Sequence, residues 1–268
     1  ALIRFPQKGT CFLFRYAVHI GKGSRYLFAD VVRSLCFNGG MKTLVLLIFC
    51  FSFVGTFAKD IKTNEVIVKD APSWLKRNRM EKITRRIQRK LEWSTRRVTM
   101  HWYTSSEAFR KIHKLKGEPV AFTINSPQGS SIHMGPTVNT KDFDRVYGHE
   151  LVHVILYQKY KGSVPKWLEE GVANHLSGMG KVDYKWLKSH NQEIDVKQLS
   201  HPFSGDPAMV HFRYKASQAL AEMLDKKCGL EKLIHMSLER NMEDYFKTYC
   251  EIDDLNQAFR AWIEKKSK

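Results

Sequence analysis

Two histidines four residues apart, with a glutamate directly after the first, constrain this chain more than any other feature. In His149-Glu150-Leu151-Val152-His153 both imidazoles share a face if the segment is an α-helix, and Glu150 leans toward the same point from the side. Two rings so placed can reach one metal ion. A random match of this kind arises in roughly a few per cent of chains of similar composition, so the flanks must carry the assignment. They do: Phe143, Val146, Val152, Ile155 and Leu156 recur at helical spacing, and Asp142 and Asp144 gather at the start. Lys161, Gly162 and then Pro165 supply the stop. The spacing predicts a helix over 142–160 with the motif in its middle.

A catalytic metal normally takes three protein ligands and leaves a fourth position for water. Downstream, Val164-Pro-Lys-Trp-Leu-Glu-Glu-Gly-Val-Ala-Asn-His175 reads as a second helix opened by Pro165 and anchored by Trp167 and Leu168, with Gly171 permitting a close backbone approach. Periodicity does not choose between Glu169 and Glu170, which differ by a rotation of about 100°. In these two segments, G-H-E-L-V-H and W-L-E-E-G-V-A, the chain resembles the gluzincins, zinc peptidases related to thermolysin and the zinc aminopeptidases, and most closely their compact peptidase-MA-like branch. The resemblance implies that the glutamate before the glycine, Glu170, is the third ligand beside His149 and His153. It implies one Zn2+ per chain, with Glu150 as general base. The metzincin pattern fits worse, since it needs Gly and His where Leu156 and Lys159 stand. The matched motifs cover about twenty-five residues, and a looser likeness runs from about position 98 onward.

Hydrophobic residues make up 43% of the 268 and aromatics 12%, enough for a sizeable core. The start is unusual: Met41-Lys-Thr is followed by an apolar run and ends on Thr56 and Ala58. That is the layout of a secretory signal peptide over 41–58, and the run falls short of the roughly 20 residues of a membrane span. Residues 1–40 then read as translated upstream sequence, and the exported product begins near Lys59, secreted or periplasmic. Seven of the 44 basic and one of the 27 acidic side chains precede Lys59, which leaves 59–268 with a net +11. Such a charge suits an acidic envelope surface. Nothing resembles a nucleic-acid module, so no nucleic acid is expected as partner, and no stable membrane span remains once the signal is removed. Cys228 and Cys250 are free to pair in an oxidising compartment, but sequence gives no distance between them.

The fold class expected is α+β and zincin-like. A small N-terminal mixed sheet precedes the motif helix, and a mostly helical C-terminal half follows. Within 59–268, a basic helix occupies much of 59–97, the catalytic core spans 98–206 and C-terminal helices 207–268. The first helix, 72–93, has an apolar stripe of Met80, Ile83, Ile87 and Leu91 and an arginine-rich face read as solvated. Strands are expected at 97–103, 119–125 and 130–134, with a short helix at 105–114 between the first two. A loop-rich stretch, 179–205, holds a short helix near 184–189, and helices follow at 207–226, 230–240 and 252–265. In the zincin arrangement an edge strand runs above the metal and pairs with extended substrate; sequence does not say which strand that is.

The implied activity is an exported zinc-dependent peptidase acting on a peptide or protein substrate through a zinc-activated water. Gluzincins commonly add a Tyr or His donor for the oxyanion after the third ligand; His211 and Tyr214 are available, and Tyr214 is preferred by analogy of role. Asn174, four residues after Glu170, is a candidate acceptor for an imidazole N–H. His101, His133 and His175 read as surface or hydrogen-bonded core groups. Two rival readings are a catalytically silent zincin-fold scaffold of the envelope and a zinc amidase acting on a non-peptide substrate.

Overall fold

The computed structural model describes residues 59–113, 119–190, 194–199, 206–238 and 240–268. The signal peptide expected at 41–58 and the upstream stretch 1–40 lie outside the described residues. The chain is α+β, with a small five-stranded mixed sheet and a mostly helical remainder.

Strands β1 (Lys59–Lys62) and β2 (Val66–Ala71) come first, then helix α1 (Arg77–Lys90), β3 (Val98–Trp102), α2 (Ser106–His113), β4 (Ala121–Ser126) and β5 (Gly129–Met134). The sheet order is β1-β2-β3-β5-β4. Its centre is parallel, β2 with β3 and β3 with β5, and both outer pairs are antiparallel. Alternation along the strands sorts their side chains between faces. Val66, Val68, Val98, Met100, Trp102, Ile132 and Met134 are buried on one face, and α2 covers part of the other through Phe109, whose ring meets those of Tyr103 and Phe122. The two edges differ. β1 carries Lys59 and Lys62 and a register irregularity, features that blunt an edge against further pairing, whereas β4, Ala-Phe-Thr-Ile-Asn-Ser, has no charge at all.

The motif helix α3 (Phe143–Tyr160) lies against the sheet and α1. Twelve of its eighteen residues are buried, so it is covered on most sides rather than along one stripe. Lys161 ends it in the left-handed conformation, φ 52°, and Gly162 follows at φ 88°. Thr84 on α1 and Tyr147 on α3 share a buried hydrogen bond of 2.7 Å. The buried Gln158 side chain accepts from the Arg96 amide and donates to the Arg96 carbonyl, fixing the entry to β3. After α3 come α4 (Lys166–Ser177), α5 (Tyr184–Ser189), a 3-10 turn (Val196–Leu199), α6 (Pro207–Cys228), α7 (Leu230–Met236), α8 (Glu243–Cys250) and α9 (Leu255–Lys266). Cys228 and Cys250 form a disulfide, Cα–Cα 4.9 Å, joining the ends of α6 and α8.

The structure departs from the sequence reading in three places. Residues 59–71 form two strands where none was expected, and α1 accordingly starts at Arg77 rather than at 72. Their apolar alternation is short and interrupted by charges, and only pairing with β3 completes it. Helix α8 was also not anticipated, because Phe246 and Cys250 are its only buried residues. Finally, the arginine-rich face of α1 is not simply solvated. Arg86 and Lys90 donate to the carbonyls of Ser177 and Leu176 at the C-terminal end of α4, while Arg79 bonds Asp144 and the Thr140 carbonyl. Among the described residues no helix is long and apolar enough to cross a membrane.

Two outcomes follow for stability. Replacing Cys228 and Cys250 by Ser frees a loop of 22 residues, and calorimetry should show a loss of about 3 kcal/mol. His133, 6% exposed and stacked on Phe122 at 4.7 Å, has its pKa lowered from 6.5 to about 4 by burial and then by the neighbouring His101. Below pH 6.5 the unfolded chain takes up a proton that the folded one refuses, so the His133 contribution is complete above that pH and is lost between about 6.5 and 4. Thermal midpoints measured across this window should fall less steeply in His133→Gln than in the parent.

Candidate metal centre

Helices α3 and α4 meet where both motifs lie. His149, His153 and Glu170 each turn one ligand atom to a common point, all within 4.8 Å of one another. His153 Nε2 stands 3.1 Å from His149 Nε2 and 3.3 Å from Glu170 Oε1, and His149 Nε2 is 3.4 Å from Glu170 Oε2. Four-coordinate bonds of about 2.0–2.1 Å at tetrahedral angles place ligand atoms about 3.3 Å apart. The two imidazole nitrogens lie near that edge length and each meets a different oxygen of Glu170 at a similar distance, so these residues could hold a metal ion.

The donor chemistry agrees. His153 Nδ1 faces Glu169 Oε1 at 3.5 Å, and Glu169 is in turn paired with Lys166 at 2.5 Å. With its Nδ1 hydrogen directed at a carboxylate, an imidazole offers its Nε2 lone pair once a metal ion displaces the Nε2 proton, as a ligand must. Burial would lower the pKa of His153, but Glu170, Glu169 and Glu150 outweigh it and hold the imidazole well above its usual range. Burial likewise works to raise Glu170, yet His153 and His149 keep its carboxyl well below the usual value. Glu169 is drawn down to about 2 against its own burial by His153 and Lys166. The cluster therefore favours positive charge at its centre.

Glu170, not Glu169, turns into the triangle, and Glu169 takes the outer place for which sequence nominated Asn174. Asn174 is buried but accepts no hydrogen bond from either imidazole, and His149 Nδ1 is buried without a partner. Sequence treated Glu169 only as a neighbour; the adjacent pair of glutamates was the one signal for this arrangement.

Gly171 decides how α6 reaches the site. A Cβ there would lie 2.0 Å from the Ser217 carbonyl oxygen, so α4 and α6 touch backbone to backbone and any side chain would push them apart. Tyr214, about one turn before Ser217, is thereby brought under the influence of the site. Burial, then Glu170 and Glu150, push its hydroxyl up to about 12. His211 is exposed, its ring packed edge-on to Trp186 at 5.0 Å. Of the other histidines, His175 bonds Asp225 at 2.8 Å, His133 bonds Tyr103 and Ser131, and His101 stacks on His133.

Glu150 is 5% exposed, and β4 lies beside it. Thr123 Oγ1 donates to Glu150 Oε2 at 2.7 Å and to the Glu150 carbonyl at 3.2 Å. The Gly135 amide bonds the Val120 carbonyl at 2.9 Å. Antiparallel ladders alternate, so Phe122 and Ile124 also bond β5, whereas Ala121, Thr123 and Asn125 turn their peptide groups to the open edge. Nothing in the sequence singled out Thr123.

Comparison of the chain with protein-family models, with curated proteins and with solved structures returns no match.

Metal analysis of the purified protein should find about one divalent ion per chain, removed by His153→Ala and by Glu170→Ala. An unaltered metal content in Glu170→Ala, together with loss in Glu169→Ala, would reverse the assignment of the two glutamates.

Proposed function

We propose that this chain is an exported zinc-dependent peptidase of gluzincin type, with a zincin-like fold. The observation that carries the reading is the convergence of His149, His153 and Glu170 on one point with the buried carboxylate of Glu150 and the open edge of β4 at its side. Two nitrogens and a carboxylate oxygen in a tripod are the donor set of catalytic zinc, which when bound supplies a water of lowered pKa and polarises the carbonyl to be attacked. His149, His153 and Glu170 hold it, and Glu169 fixes the tautomer of His153.

The remaining parts belong to the chain itself. An extended peptide pairs with the outward peptide groups of Ala121, Thr123 and Asn125, which secures its backbone with little demand on its side chains. Glu150 takes the proton of the attacking water and passes it to the leaving nitrogen as the C–N bond breaks. Tyr214 donates to the oxygen on which negative charge develops; its raised pKa keeps that proton in place at neutral pH. The 41–58 segment directs export, and the Cys228–Cys250 disulfide suits an oxidising compartment.

The test is a digest of a diverse peptide pool by the zinc-loaded protein beside two variants. Glu150→Gln should retain zinc and lose turnover by about 10²–10⁴-fold, and Tyr214→Phe should lose about 10²–10³-fold. Zinc-loaded parent protein that cleaves nothing in the pool overturns the reading, and a fully active Tyr214→Phe removes Tyr214 from it.

A further inference from the structure

We propose that Thr123 is a positioning residue that orients the Glu150 carboxylate and ties that orientation to the strand docked on β4. This rests on the peptidase reading above. The Thr123 hydroxyl holds Glu150 Oε2 at 2.7 Å and also touches the Glu150 carbonyl at 3.2 Å, so it grips both ends of one residue on α3. An ionised carboxylate only accepts hydrogen bonds, and a hydroxyl donor at this distance makes a strong one. Terminal carboxylate torsions are otherwise broad and roughly two-fold. With Oε2 engaged, Oε1 is the oxygen left to meet the attacking water.

The same residue faces outward. Its peptide N–H and C=O point to the open edge of the sheet, between those of Ala121 and Asn125, while its side chain points inward to α3. A chain that pairs with the edge bonds directly to the backbone carrying the hydroxyl. Docking and carboxylate geometry thus share one residue, and no other hydrogen bond to the Glu150 carboxylate is found among the described residues. A Val at this position keeps the shape and removes the donor; a Ser keeps the donor and removes a methyl.

The experiment compares the zinc-loaded parent, Thr123→Val and Thr123→Ser on a peptide selected from the pool, with metal content measured for each. A thermal-unfolding cycle adds Thr123→Val, Glu150→Gln and the double variant, which reads the contact without any turnover. Thr123→Val should keep one zinc per chain and lose about 10–100-fold in kcat, as misorientation of a reacting group does. KM should stay within about two-fold, because an interaction that orients the base is not one that binds the ground state. Thr123→Ser should recover kcat to within about three-fold, and the cycle should be non-additive. Parent-like kcat in Thr123→Val, a loss carried by KM, a loss of zinc, or an additive cycle overturns the proposal. If the parent binds zinc and cleaves no peptide while the cycle is non-additive, the contact is structural; the peptidase reading has then failed and takes this proposal with it.

Discussion

Burying charge is the constraint on which this architecture turns. Glu150 and Glu170 are each 5% exposed, in the middle of helices that are covered on most sides. A lone carboxylate in such surroundings is too costly to remain ionised, so it must be protonated or compensated. Here compensation is built in. Imidazoles face Glu170, a threonine hydroxyl faces Glu150, and a lysine backs Glu169. The wrap of sheet, α1 and α4 around α3 removes water, and removing water is what gives each of those contacts its strength.

The same wrap explains what was legible in the sequence. α3 and α4 carry strong local signals, an apolar repeat with polar interruptions and punctuation at Lys161, Gly162 and Pro165, and the structure places them within a residue or two of expectation. His149, His153 and Glu170 were found through spacing and family pattern, since helix geometry projects i and i+4 onto one face. Thr123 and the outer role of Glu169 were not legible. Each depends on a neighbour brought in from a different element, and side-chain type alone does not report such a meeting. The N-terminal strands failed for a related reason: Val66 and Val68 pair with Val98 and Met100 of β3, some thirty residues on.

Charge on α1 illustrates a second limit. Seven basic residues along one helix read naturally as a solvated face, yet three of them are spent on carbonyls or a carboxylate outside that helix. Arg86 and Lys90 satisfy the last turn of α4, the helix that presents Glu170. Arg79 anchors the opposite end of the arrangement, at the start of α3. The basic helix is thus a brace across the two helices that carry the site, and its excess charge is partly a consequence of where those helices begin and end.

The Cys228–Cys250 bond encloses α7 and most of α8. Any single backbone break within 229–249 leaves two pieces that are still one covalent molecule, with α9 held to α6 through sulfur. A nick in that stretch is therefore an internal scar and not a severed tail. Because α6 carries Tyr214 and abuts Gly171, the tether guards the frame of the site at a distance from its chemistry.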